Sequence, residues 1–165
     1  MILNTPHNPS ATVWQREDFA ALWQAIAERE IYVLSDEVYE HICFAEGGHA
    51  SVLAHPQLRE RAVAVSSFGK TFHMTGWKVG YCVAPAAISA ELRKVHQYLT
   101  FSVNTPAQLA IATCCAKRRS IIVSCRRFIG NVAICLLKRC AQAGWKSCPV
   151  KDLFPAGGLQ RHLRS

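Results

Sequence analysis

Lys70 carries an amine that can attack a carbonyl once its surroundings lower its pKa. It closes the run Ser66-Ser67-Phe68-Gly69-Lys70. A hydroxyl and an amine beside a glycine suit a phosphate group. Asp36 and Tyr39 belong to Ser35-Asp36-Glu37-Val38-Tyr39, and Asn8 to Asn4-Thr5-Pro6-His7-Asn8-Pro9. A carboxylate facing the nitrogen of a pyridine ring keeps that nitrogen protonated, and the ring then draws electrons. Taken singly, each residue has an ordinary reading. Asp36 is a strand-end turn residue, Lys70 a solvated loop lysine, Tyr39 a half-buried amphipathic residue and Asn8 a turn former.

Their positions in the chain argue for more. Each group follows an apolar run: Asn8 follows Met1–Leu3, Asp36 follows Ile31–Leu34, and Ser67 and Lys70 follow Ala62–Val65. These runs read as strands, Ile31–Leu34 as a buried one, and Val79–Val83 reads as another. Between them lie helical patterns. Phe19, Leu22, Trp23 and Ile26 share one helix face, with Thr12–Gln15 fitting a capping box ahead of it. Ile88, Leu92, Val95 and Leu99 share another over Ala86–Leu99. Alternating strands and helices imply an α/β fold with a mostly parallel sheet and helices on both faces. In such sheets ligands bind beyond the carboxyl ends of the strands, which is where these groups gather.

An amine, a carboxylate, a phenol, an amide and a phosphate-seeking hydroxyl are the parts of a pyridoxal-phosphate site. The chain also resembles a known family. Asn-Thr-Pro-His-Asn-Pro-Ser at 4–10, Ser-Asp-Glu-Val-Tyr at 35–39, Ser-Ser-Phe-Gly-Lys-Thr-Phe at 66–72 and Gly-Trp-Lys-Val-Gly-Tyr at 76–81 look like class I aminotransferases of pyridoxal-phosphate fold type I. Their order and spacing are similar to the kynurenine/methionine aminotransferase-like subgroup. The resemblance implies transamination between amino acid and 2-oxo acid substrates, a homodimer, and pyridoxal 5'-phosphate as cofactor. It implies that Lys70 forms the Schiff base and moves the proton. It makes Asp36 the pyridinium partner, and Tyr39 and Asn8 the pair on the cofactor's phenolic oxygen. It makes Ser67 a phosphate ligand, and Lys78 another where the family often has Arg. Ser10 stands where the family usually has Thr, and Ala11 where it commonly has Gly.

The resemblance covers residues 1–112, the central and later part of the family's large domain. The family's N-terminal arm, its phosphate-binding helix, its ring-stacking aromatic residue and its substrate-gripping arginine fall outside this match. A partial site and impaired activity from this chain alone are therefore expected. A non-catalytic cofactor-binding remnant is the alternative.

The chain has 165 residues, with hydrophobic residues at 50% and charged ones at 18%. That excludes a mainly disordered or collagen-like chain. No window suggests a transmembrane helix, and no signal or transit peptide is expected at Met1, so the cytoplasm is the expected compartment. The net charge of +8 divides unevenly. Residues 1–112 hold 8 basic and 10 acidic side chains, whereas 113–165 hold 11 basic and one acidic, Asp152. Six of the 8 cysteines also lie beyond 112. The break falls inside an apparent helix, Pro106–Ala112, rather than in a linker.

Three readings of the tail compete. A basic helix would bind nucleic acid or anionic lipid, but no zinc-finger, RNP or helix-turn-helix pattern occurs, and nucleic acid is not the expected partner. The cysteines have no C-x-x-C spacing for a metal, and the histidines share no ligand face. The favoured reading is that much of the tail is an out-of-frame translation, with Ala141–Lys146 as an in-frame, family-like patch. A family-like Ile-Leu-Pro-Cys-Glu-Gly, written ATC TTG CCC TGT GAA GG and read one base late, gives the sequence of Ser147–Lys151. The chain thus divides into 1–112, a partial cofactor-binding domain, and 113–165, a basic Cys-rich tail. Trp14, Trp23 and Trp77 read as packing residues, and the histidines as surface or satisfied polar residues.

Overall fold

Apolar alternation and helical spacing set the element order in the computed structural model, which describes residues 1–117, 122–124, 127–129, 131, 135, 139 and 142. Strand β1 (Ile2–Asn4) is followed by helix α1 (Arg16–Ile26) and strand β2 (Val33–Asp36). A 3-10 turn (Val52–Ala54) and helix α2 (Pro56–Arg59) lead to β3 (Ala62–Ser67) and α3 (Phe68–Thr71). A second 3-10 turn (Thr75–Trp77), β4 (Gly80–Val83), α4 (Ala86–Leu99) and α5 (Thr105–Ala116) complete the described elements.

The strands form one sheet in the order β1-β2-β3-β4. β1, β2 and β3 run parallel, with Asn4 opposite Asp36 and Asp36 opposite Val65. β4 returns antiparallel to β3, with Ser66 opposite Tyr81 and Ser67 opposite Gly80. The mixed α/β fold with a mostly parallel sheet is therefore as the sequence implies. Parallel neighbours bring the ends of β1, β2 and β3 to one edge, and so place Asn8, Asp36 and Lys70 in adjacent connections.

The alternation of buried and open residues along β3 shows the period of two expected of a strand. Leu3, Val33, Ala62 and Ala64 face a core completed by Phe19 and Ile26 of α1, Val52 and Leu58. Leu22 and Trp23 pack against its margin, as the helical spacing implies, and Trp14, ahead of α1, packs there too. A smaller cluster joins Val79 to Ala107 and Ile111 of α5, with Phe68, Met74 and Val103 beside it. It holds the Lys70-bearing segment against α5, and α5 runs unbroken through the compositional change at 112.

Several local expectations shift. α1 starts at Arg16, later than the proposed capping box, because Asp18 reaches back to the Gln15 amide at 2.8 Å. β2 begins at Val33 and is buried on one face only: Val33 is 1% exposed, Tyr32 61% and Leu34 38%. The apolar face of α4 is helical as expected, yet Leu92, Val95 and Leu99 are exposed, because no described element covers them. Trp77 is also exposed, since it ends a turn at the surface instead of packing.

Candidate active site

The loop after β1 is held at both ends. Thr5 is fully buried and its hydroxyl accepts the Trp14 amide at 2.9 Å. Its own amide donates to the Asp36 carbonyl at 3.0 Å, and the Asn4 side chain donates to the same oxygen at 3.2 Å. Within the loop, His7 Nδ1 lies 2.7 Å from Ser10 Oγ, and Ser10 Oγ lies 2.9 Å from Thr12 Oγ1. Ala11 has φ of 59°, the left-handed region that favours glycine, so its side chain is carried at a conformational cost there.

This loop presents Asn8, whose Nδ2 donates to the Tyr39 hydroxyl at 3.0 Å. The Tyr39 hydroxyl therefore accepts from Asn8 and keeps its own proton free to donate. Lys70 Nζ lies 5.9 Å from the centre of the Tyr39 ring, at the outer limit of a cation–π contact. Asn8, Tyr39 and Lys70 thus converge from three successive connections. Asp36 ends β2 beside them. Its Oδ1 accepts the Val38 amide at 3.1 Å, and among the described residues no hydrogen bond takes up Oδ2.

Ser67 ends β3 and caps α3, accepting the Gly69 amide at 3.1 Å. Gly69 is needed for that approach: a Cβ there would stand 3.0 Å from Thr75 Cα and 3.2 Å from Ser67 Oγ. Lys78 is placed differently. It is exposed, sits at φ of 54° after the second 3-10 turn, and makes no hydrogen bond or ion pair with the other five residues among those described.

Two features of the site escaped sequence reasoning. Glu37, next to Asp36, is 3% exposed and bonded to His49, Ser35 and the Val52 amide. Burial pushes its carboxyl up, but hydrogen bonds from His49, Val52 and Ser51, and the charge of His49, hold it below the ordinary value. Glu40 accepts from Ser66 Oγ at 2.9 Å and from the Tyr81 hydroxyl, tying β3 and β4 to the turn that carries Tyr39. A strand period of two places Glu37 on the face opposite Asp36, but nothing in the spacing reveals its partner His49.

The donor set fits pyridoxal phosphate. An amine stands by a phenol that has a proton to give, a carboxylate oxygen is open, and a serine hydroxyl sits where a side chain on Gly69 would intrude.

Fold and site together define an α/β scaffold whose candidate groups stand at the carboxyl ends of parallel strands. Residues 1–154 match the family described as aminotransferase class I and II, and the chain belongs to that pyridoxal-phosphate-dependent family. It is 87% identical over 112 residues to a methionine aminotransferase of Escherichia coli, and 41% identical over 114 residues to a kynurenine–oxoglutarate transaminase of Dictyostelium discoideum. Each match takes in 68% of this chain. Among solved structures, an E. coli protein described as having a methionine aminotransferase function superposes with a TM-score of 0.74 at 72% identity. That superposition covers 81% of this chain and 36% of the other. The chain spans only 29% and 26% of the lengths of the two relatives.

Proposed function

We propose that this chain is part of an aminotransferase that moves an amino group from an amino acid to a 2-oxo acid. The observation that carries the reading is the convergence of Lys70, Tyr39 and Asn8 at the strand ends where Asp36 closes β2, in a chain of this family. When bound, the cofactor supplies the electron sink for the carbanion at the substrate α-carbon. The Lys70 amine would be the group that holds the cofactor, and the same nitrogen would move a proton to and from the substrate α-carbon. Asp36 would hold the ring nitrogen in its protonated form through Oδ2, the oxygen not used by the Val38 amide. The Tyr39 hydroxyl, oriented by Asn8, would donate to the cofactor's phenolic oxygen. Ser67 and Lys78 serve the phosphate, Lys78 as a point charge without the two-pronged grip of an arginine.

Methionine is the first amino donor to test, because the 87% identical relative is a methionine aminotransferase. A homodimer and a cytoplasmic location are proposed with the activity. No described helix is long and apolar enough to cross a membrane. Residues 1–112 form the domain proposed to hold the site. The E. coli match is 112 residues long, the length of the segment before the compositional break. For 113–165 we propose that much of the segment is out of frame, with Ala141–Lys146 an in-frame patch inside the family match that runs to residue 154. Translating the coding DNA in all three forward frames tests it, and failure to restore family-like sequence after 112 ends it. The alternative of a basic binding module falls mostly outside the described residues.

An absorbance spectrum of the purified chain with pyridoxal phosphate, beside Lys70→Ala, tests the main reading. A visible band that requires Lys70 supports it. No band, or one that persists in Lys70→Ala, overturns it for this chain.

A further inference from the structure

Consecutive residues at the end of β2 take opposite duties. Asp36 shares the open face with Leu34, while Glu37 continues the buried row of Val33 and Ser35. The Glu37 amide donates to the Val65 carbonyl at 2.8 Å, the last rung between β2 and β3. The Glu37 carbonyl accepts from the Glu40 amide at 2.9 Å, the first bond of the turn that carries Tyr39. The peptide around Glu37 therefore sets where both Asp36 and Tyr39 stand.

The Glu37 side chain is itself clamped. Oε1 accepts from Ser35 Oγ at 2.9 Å and from the Val52 amide at 3.0 Å. Oε2 lies 2.9 Å from His49 Nε2, and the two side chains are 5% and 9% exposed. His49 comes from the far end of the loop that leaves this turn, so the bond closes the loop back on its origin. His49 Nδ1 is buried with no hydrogen-bond partner among the described residues. A ring kept with an idle nitrogen makes the Nε2 bond to Glu37 its one polar attachment among those residues. A buried carboxylate stripped of its partner moves to find another, because an unpaired buried charge is costly.

We infer that Glu37 and His49 are a positioning pair for the cofactor-binding groups, holding from behind the sheet the peptide that presents Asp36 and Tyr39 in front of it. The inference rests on the aminotransferase reading for what those groups do. Neither residue of the pair touches the reacting atoms. Supporting bonds of this kind fix the angle and separation of the groups they back.

The test uses the full chain with His49→Ala and His49→Gln, whose amide can still donate to Glu37. Backbone amide exchange without cofactor reads the clamp directly. The Glu37 and Glu40 amides, bonded to the Val65 and Glu37 carbonyls, should exchange about tenfold faster in His49→Ala, with the α1 amides unchanged and His49→Gln close to wild type. With pyridoxal phosphate added, His49→Ala should bind about tenfold more weakly, the loss typical when a supporting residue is removed. The pH midpoint of its Lys70-dependent band should shift, and His49→Gln should restore it. Unchanged exchange at Glu37 and Glu40, or faster exchange spread equally over α1, overturns the inference. So does an unmoved band midpoint in His49→Ala. If His49→Ala does not fold, Glu37→Gln, which keeps shape and loses charge, is read by the same two measurements. A wild-type chain with no Lys70-dependent band sinks the aminotransferase reading and the cofactor half of this inference, and the exchange result shows separately whether the clamp exists.

Discussion

The Tyr39 hydroxyl accepts the Asn8 side-chain amide at 3.0 Å across 31 residues of chain, joining the loop after β1 to the turn after β2. A hydroxyl that accepts from one side donates more strongly on the other, since hydrogen bonds in a chain polarise one another. Donation to a phenolic oxygen stabilises its negative charge and weakens its hold on a neighbouring proton. In Tyr39→Phe the pH midpoint of the Lys70-dependent band should therefore rise, by about one to two units for the loss of a hydrogen bond to a charged group. Asn8→Ala should shift it the same way by less, because the donor itself remains. A spectrophotometric pH titration of the three proteins measures both shifts. A fall in Tyr39→Phe would contradict the assigned role.

Gly80 lies against β3 so closely that a Cβ would come within 2.7 Å of the Ser66 carbonyl oxygen. That oxygen is backbone and cannot turn aside. Gly80→Ala should force β4 away from β3, at about 1–3 kcal/mol for overpacking. Ser66 and Tyr81 share Glu40, so the shift should also reach the turn that bears Tyr39 and weaken cofactor binding. Gly76→Ala is the control, because nothing lies within 4 Å of its added carbon. Urea titration should separate the two variants clearly. Equal stability would mean the strands can part without cost.

Phe101 follows the end of α4 with φ of 63°, and its ring is 82% exposed. A bulky residue in the left-handed region carries a penalty of roughly 1–2 kcal/mol that glycine avoids. Glycine gives back roughly 0.4–1 kcal/mol through the freer unfolded chain. Phe101→Gly should thus raise stability by about 0.5–1 kcal/mol, read as a higher denaturation midpoint. A lowered midpoint would show that the exposed ring has a packing role.

Much of this molecule could be read from residues close in sequence. β3 and α4 lie where the apolar run and the helical spacing put them, because both patterns are local. The gathering of Asn8, Tyr39 and Lys70 followed from strand ends in a parallel sheet, although a distance such as 3.0 Å did not. What remained hidden depends on contacts across loops. Glu37 and His49 are joined through a loop whose path no spacing rule describes. The exposure of Leu92, Val95 and Leu99 was hidden for another reason. Amphipathic spacing tells which face of α4 is apolar, and says nothing of whether another element covers it. Lys78 shows the limit of carrying a role by motif: its place in Gly-Trp-Lys is clear, yet its side chain is not tied to the other site groups.

The buried acid also makes stability depend on pH. Glu37 is held below the ordinary glutamate range by its hydrogen bonds and by His49, which outweigh the effect of burial. A carboxyl with a lowered folded pKa contributes stability that is complete above its unfolded value, near 4.3, and is lost as pH falls through the folded value. In Glu37→Gln this contribution is absent at every pH. The variant should be less stable than the wild type at neutral pH by about 1–3 kcal/mol, the cost of weakening a buried charged hydrogen bond. The difference should shrink as pH drops below the ordinary glutamate range, because the wild-type carboxyl then becomes neutral too. Chemical denaturation of both proteins at neutral pH and at successively lower pH values gives the two curves. Their difference isolates Glu37, because every other side chain is common to both proteins. Parallel curves across that window would mean that the Glu37 carboxylate is no better held in the fold than in the unfolded chain.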